Sequence, residues 1–335
     1  QLDSIKFSGN IYNSKIISSD FIVESKSKEF ILNSNFSGNT KKISFTDLLL
    51  NNNNMLLNAD MEFDIPLEKK NSQIKINFKE LNSSSYELEN IYPGIFGSVL
   101  PSSLKSIGNF KFYGDLSYNG DRIKSNFQLD NNDGKIYSDL EIFDFVNIDN
   151  ASYFGTFKGL NVDLSNFITL PFLGKSTFAF TIDGKGFVTE LLNSQLTGKI
   201  QELDINNYNY KNIDVSGDVS DKVFNGSLNI IDENIEMDFI GLIDYSNELI
   251  DFDFSTDIIK ANIGKLNLTL IENNSLSGKI TTKLRGSEFS NLIGDLSFKD
   301  FKYFSGDATY NFDELIAQSR INNDKRFYNI NSPDA

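Results

Sequence analysis

The feature that most constrains this chain is an alternation of apolar and polar residues at a period of two, running from Leu196 to Phe254. Its apolar positions are Leu203 and Ile205, then Ile213, Val215 and Val219, then Leu228 and Ile230, then Met237, Phe239, Ile243 and Tyr245, then Phe252 and Phe254. Asp, Asn, Ser, Glu and Lys fill most places between them. Successive side chains of a strand point to opposite faces of a sheet, so this pattern predicts strands with one apolar and one polar face. Breaks at Asn206-Asn207, Ser220-Asp221-Lys222, Asp232-Glu233-Asn234 and Ser246-Asn247-Glu248 divide the stretch into about five runs. Each break supplies residues suited to turns. The stretch therefore reads as an antiparallel meander, and function must come from whatever covers its apolar face.

The same rhythm extends through most of the chain. Residues 1–80 hold about six short runs, at Ile5 to Ile11, Phe21 to Val23, Phe30 to Phe36, Ile43 to Phe45, Met55 to Ile65 and Ile74 to Phe78. Between Tyr86 and Ile107 the spacing changes: Leu88, Ile91, Tyr92 and Ile95 stand three and four apart among Pro93, Gly94, Gly97 and Pro101, which predicts short helical turns. From Gly108 alternation resumes, with Asn119-Gly120 as a two-residue hairpin signal. Leu164 to Gly174 and Asp257 to Leu268 read as irregular crossovers, and Leu296-Phe298 and Phe301-Tyr303 as separate strands. A Gly precedes many apolar pairs, at Gly198, Gly217, Gly226, Gly278 and Gly294, and is expected near strand starts where a sheet bends. The expectation is an all-β chain and one continuous β-segment over 1–335, with sub-repeats at 1–85, 86–174, 175–268 and 269–335.

Composition removes most catalytic chemistry. The chain has no Cys and no His, so there is no thiolate or imidazole nucleophile or base, no disulfide, and no zinc site of the usual ligand set. Asp130 to Gly134 resembles a calcium loop, but with Gly134 at the sixth position Leu129 falls where the first carboxylate must be. Gly184-Lys185-Gly186 fails as a dinucleotide fingerprint because Thr189 stands in place of the third Gly. No metal or cofactor is expected, and no enzyme: the 46 acidic residues fall at outward positions without a distinguished pair. The net charge of −15, all of it arising beyond residue 80, argues against nucleic acid as a partner. No run is long and apolar enough for a membrane helix. The first residues already alternate like a strand, so the chain reads as a segment of a longer protein with any anchor outside it.

Three architectures accept such a pattern: closed sandwiches or small barrels, an outer-membrane barrel, and a long sheet bent lengthwise into a trough. Periodicity does not separate the sandwich from the trough, since both bury one face of each strand. The outer-membrane barrel fits least, because many runs are short and Phe sits mid-strand.

A family resemblance favours the trough. Gly184-Lys185-Gly186-Phe187, Leu196 with Gly198 and Ile200, Tyr208, Tyr210 and Asn212-Ile213, Val215 with Gly217, Phe224 with Gly226 and Leu228, Ile231-Asp232 with Asn234, and Phe239 with Gly241 and Ile243-Asp244 together resemble the translocation and assembly module TamB family, within the wider AsmA-like group. The likeness covers roughly residues 95–300, with supporting stretches at Leu104 to Gly114, Ala261 to Leu268 and Gly278 to Leu296. It implies an elongated, mostly antiparallel sheet curved into a groove, in the periplasm of a Gram-negative bacterium, anchored to the inner membrane by a helix outside this segment. It also implies that the groove carries phospholipid acyl chains between the two membranes, and that an outer-membrane barrel partner is met by other parts of the protein. The residues expected to line the groove are Leu203, Ile205, Ile213, Val215, Val219, Leu228, Ile230, Met237, Phe239, Ile243, Phe252 and Phe254. The alternative is a surface or secreted array of β-sandwiches with a structural or adhesive role.

Overall fold

The alternating runs form strands, and turns fall where the polar breaks predict them. The computed structural model describes residues 6–18, 28–64, 72–89, 105, 107–144, 151–166, 172–186, 192–287, 291–322 and 325–332. The chain divides into two compact units, Gln1–Thr169 and Leu170–Ala335. The first contains β1 (Lys6–Ser18), β2 (Lys28–Asn39), β3 (Lys42–Asn51), β4 (Leu56–Asp64), β5 (Gln73–Ser84), β6 (Asn109–Asn119), β7 (Arg122–Asn131), β8 (Gly134–Phe143) and β9 (Ser152–Asp163). The second contains β10 (Leu173–Lys185), β11 (Asn193–Ile205), β12 (Tyr208–Ser220), β13 (Val223–Ile231), β14 (Ile235–Asp244), β15 (Ile250–Ala261), β16 (Asn274–Gly286), β17 (Ile293–Ser305), β18 (Ala308–Asn322) and β19 (Lys325–Asn331).

Within each unit every strand pairs antiparallel with the next in sequence, so each unit is one continuous all-β meander. The strands are not divided between two sheets, as sandwiches would require. Among the described residues no ladder closes either meander into a barrel. Two of the tight turns show why the sequence reverses there. Asn206 and Asn207 have φ of 51° and 62°, and Asp221 and Lys222 have 51° and 64°. Positive φ at both central residues is the hairpin turn whose twist matches that of the flanking strands, and Asn and Asp tolerate it better than other side chains.

A line of bulges crosses each sheet. In the first unit register shifts fall between Ile11 and Ser14, Asn33 and Asn35, Phe45 and Leu48, Asn58 and Ala59, and Phe78 and Leu81, at neighbouring positions of β1 to β5. In the second the line runs through Thr177/Phe178, Asn212 with φ of 51°, Glu236/Met237, Ile258/Ala261, Ser277/Lys279 and Asp300 with φ of 49°. A bulge bends its strand, and bulges in register bend the whole sheet along one crease. In the second unit Tyr210, Ile235, Ala261 and Leu266 on one side of the crease pack in one cluster with Ile213, Val215, Ile230 and Ile258 on the other. Contact across the fold places the apolar face inside the bend, so the sheet is a trough. Polar side chains occupy the crease of the first unit: the Asp47 amide donates to Asp60 Oδ1 at 2.8 Å, and Lys79 Nζ reaches both carboxylates at 2.8 Å.

Several local expectations are corrected. Asp257 to Ala261 is the end of β15 and not a crossover, because a bulge breaks its alternation; only the following residues are irregular. Leu296-Phe298 and Phe301-Tyr303 belong to one strand, β17, whose phase changes at Asp300. Gly198, Gly217 and Gly226 stand within strands and not at their starts. The β6–β7 hairpin turns on Gly120 and Asp121, since Asn119 still pairs with Arg122. Residues 85–89 form a helical turn as expected, and Leu164–Asn166 a single 3-10 turn. Leu173 and Gly174 already belong to β10. The runs at Phe21 to Val23 and at Ile91 to Ile95, Ile65, Phe187 and Thr189 lie outside the described residues.

Candidate apolar groove

The twelve residues expected to line a groove all fall on the inner face of the second unit. Register sets them opposite one another in rows that cross the strands. Ile213, Ile230 and Met237 form one row, with Ile200 and Ile258 at its sides. Val215, Leu228 and Phe239 form the next, which continues through Thr256, Ile280 and Phe298. Val219 faces Phe224, which faces Ile243, which faces Phe252. Leu203 and Ile205 lie beyond the crease, opposite Tyr210 and Tyr208. Phe254 joins through Gly241, and its ring centroid is 4.9 Å from that of Phe239. Period two is enough to place residues on one face when strands pair in register, and here it does.

Burial separates this face from an ordinary core. Ile213, Val215, Ile230 and Phe239 are buried, at 5%, 7%, 8% and 6% exposure. The other eight are only half-buried. Sandwich interiors bury such side chains between two sheets; this sheet presents them from a single layer. Between the Val215 and Val219 rows lies a floor without side chains, where Gly217, Gly226 and Gly241 stand opposite one another. The backbones meet closely there: a Cβ added at Gly226 would fall 2.4 Å from the Ser216 carbonyl oxygen.

The inner face carries few polar atoms, and the rows that hold the twelve residues contain no charged one. Ser176, Thr256 and Thr282 are hydroxyl residues buried on it. Each donates to a carbonyl of the adjoining strand: Ser176 to Glu202 at 3.0 Å, Thr256 to Asp238 at 2.8 Å, and Thr282 to Asp295 at 3.3 Å. With its proton so engaged, a hydroxyl makes little demand for water. Charge sits on the opposite face. There Arg285 grips Asp251 through two bonds of 2.6 Å, which hold the Asp251 carboxyl below its usual range.

Sequence reading missed the polar closure at one end of the groove. The Asp232 carboxylate, 7% exposed, accepts hydrogen bonds from the Tyr208 hydroxyl, from the Lys211 amide at 3.0 Å and from the Asn234 amide at 2.9 Å. Asn234 donates to the Tyr208 oxygen at 3.1 Å and accepts from Asn262 at 3.1 Å. Burial first, and then the bond to Asp232, push the Tyr208 hydroxyl up to about 12. Leu266, fully buried, packs into the apolar cluster beside this network from the segment after β15. Asp232 and Asn234 lie in a predicted turn, so only the turn role was visible from the pattern.

Among the described residues there is no group of three acidic side chains placed to hold a metal ion, and no helix long and apolar enough to cross a membrane. Comparison with family models, with curated proteins and with solved structures finds no match to this chain.

Proposed function

We propose that the inner face of the second unit holds the acyl chains of phospholipids, as a segment of a lipid-carrying trough of the TamB and AsmA-like kind in a Gram-negative periplasm. One observation carries the reading: twelve apolar side chains share the concave face of a single-layer sheet, and eight of them remain half-open. Apolar surface left in water costs about 25 cal/mol per Å². An acyl chain laid along the face relieves that cost and gains about 0.8 kcal/mol for each of its own methylenes. The internally bonded hydroxyls and the absence of charge along the rows suit such an occupant. Passage along the groove needs no titrating group.

Organic extraction of the purified protein followed by lipid analysis tests this. Phospholipid is expected to co-purify and to be lost from the variant carrying Val215→Asp, Leu228→Asp and Phe239→Asp. A photo-crosslinking amino acid at position 228 is expected to label lipid, and one at neighbouring position 229, on the outer face, is not. Lipid-free protein, or equal labelling from both positions, refutes the reading.

A further inference from the structure

The outer face of the first unit carries a hollow of about 390 Å³, lined by Tyr113, Asn126, Tyr137, Asp139, Thr156 and Lys158 among others. Register places these on one face. Tyr113, Gln128, Tyr137 and Lys158 stand opposite one another on β6 to β9, and Asn126, Asp139 and Thr156 form the next row. The two tyrosines are two strand spacings apart, about 9.6 Å.

The hollow combines open polar groups with two tyrosine rings. At three places elsewhere on the outer faces a facing amide and carboxylate close on each other, Asn77 on Asp115 at 2.8 Å, Asn229 on Asp238 at 2.7 Å, and Gln318 on Asp295 at 2.8 Å, while other pairs such as Asn225 and Asp218 stay apart. Asn126 and Asp139 face each other in the same way, yet no hydrogen bond joins them. Within the described residues Lys158 makes no ion pair and neither tyrosine hydroxyl makes a hydrogen bond. A donor amide and an acceptor carboxylate thus stand side by side, flanked by two half-buried aromatic rings.

We propose that this hollow binds a glycan containing N-acetylhexosamine. An acetamido group offers one N–H and one C=O, which Asp139 and Asn126 match as acceptor and donor. Ring faces of tyrosine carry partial negative charge and pack against the C–H faces of a pyranose, and two such platforms accommodate neighbouring sugars of one chain. A peptide would offer the same amide, but sheet faces in mid-meander have no free backbone edge for it to pair with. The site lies on the face opposite the apolar row of Phe112, Leu129 and Ile136 in its own sheet and is independent of lipid binding.

Calorimetric titration of the whole chain with tetra-N-acetylchitotetraose, and with cellotetraose as the analogue lacking acetamido groups, tests the proposal. Saturable binding of the first is expected, weakened about tenfold by Asn126→Ala, by Asp139→Ala and by Tyr137→Ala, the loss of roughly one charge-assisted hydrogen bond or one ring platform. These side chains are at the surface, and unchanged urea midpoints confirm that the variants fold. Asn229→Ala, on the other unit, is expected to bind as the parent does. No binding at millimolar sugar, equal binding of cellotetraose, or undiminished binding by the three variants overturns the proposal.

Discussion

Tyr208 and Asp232 show how one buried charge is kept beside groove rows that hold no other. Three donors saturate the Asp232 carboxylate, so replacing one leaves a buried acceptor short. Tyr208→Phe is expected to lower unfolding stability by about 1–3 kcal/mol near neutral pH, as measured by urea denaturation. The hydroxyl's proton is held up to about 12 against a reference of 10.0. Because the folded value lies above the unfolded one, its contribution is complete below pH 10 and is lost as pH rises toward 12. The stability difference between the parent and Tyr208→Phe is therefore expected to shrink across that window; a constant difference would show that the hydroxyl does not titrate through this network. None of this was legible in the sequence, because Tyr208 and Asp232 are 24 residues apart and only pairing through β12 and β13 brings them together. That Val215, Leu228 and Phe239 share a face was legible, because this needs only the two-residue period.

At the scale of strands, the glycine row and the bulges decide the shape. Gly226→Ala places a Cβ against backbone on the facing strand, which cannot yield as a flexible side chain would, and is expected to cost about 3 kcal/mol in urea unfolding. Gly306 has φ of 61° with open space around it, so Gly306→Ala meets only the left-handed penalty of about 1 kcal/mol. Equal costs at the two positions would mean that close approach of the strands is unimportant. Bulges are also where sequence reading faltered. At Asp300 and between Ile258 and Ala261 the period of two slips, so one long strand was read as two and a strand end as a crossover. Nothing in an Asp or Lys side chain announces that an extra residue will be accommodated; the neighbouring bulge in the ladder does, and it is distant in sequence.

At the largest scale, each unit is a single layer, and the half-open apolar face of the second predicts a native state that behaves unlike a closed globule. An anilinonaphthalene sulfonate dye is expected to fluoresce with the folded chain in the absence of urea, and oleate is expected to quench that signal by displacement. Fluorescence that rises only within the unfolding transition would indicate a covered face. The all-β class and the meander were readable from alternation alone. The choice between sandwich and trough was not, because it depends on whether strands remain in one ladder, which is a property of pairing and not of any run.

Pairing between sequence neighbours also has a consequence for how the chain acquires its structure. A strand in this meander finds its partner immediately before it along the chain, often across a two-residue turn, so the loop to be closed is short and its entropic cost small. Folding can then propagate from one hairpin by adding strands one at a time, each new strand completing the edge left by the last. A chain delivered from its amino-terminal end would assemble in the order in which it arrives, and the exposed edge at any moment is the template for the segment that comes next.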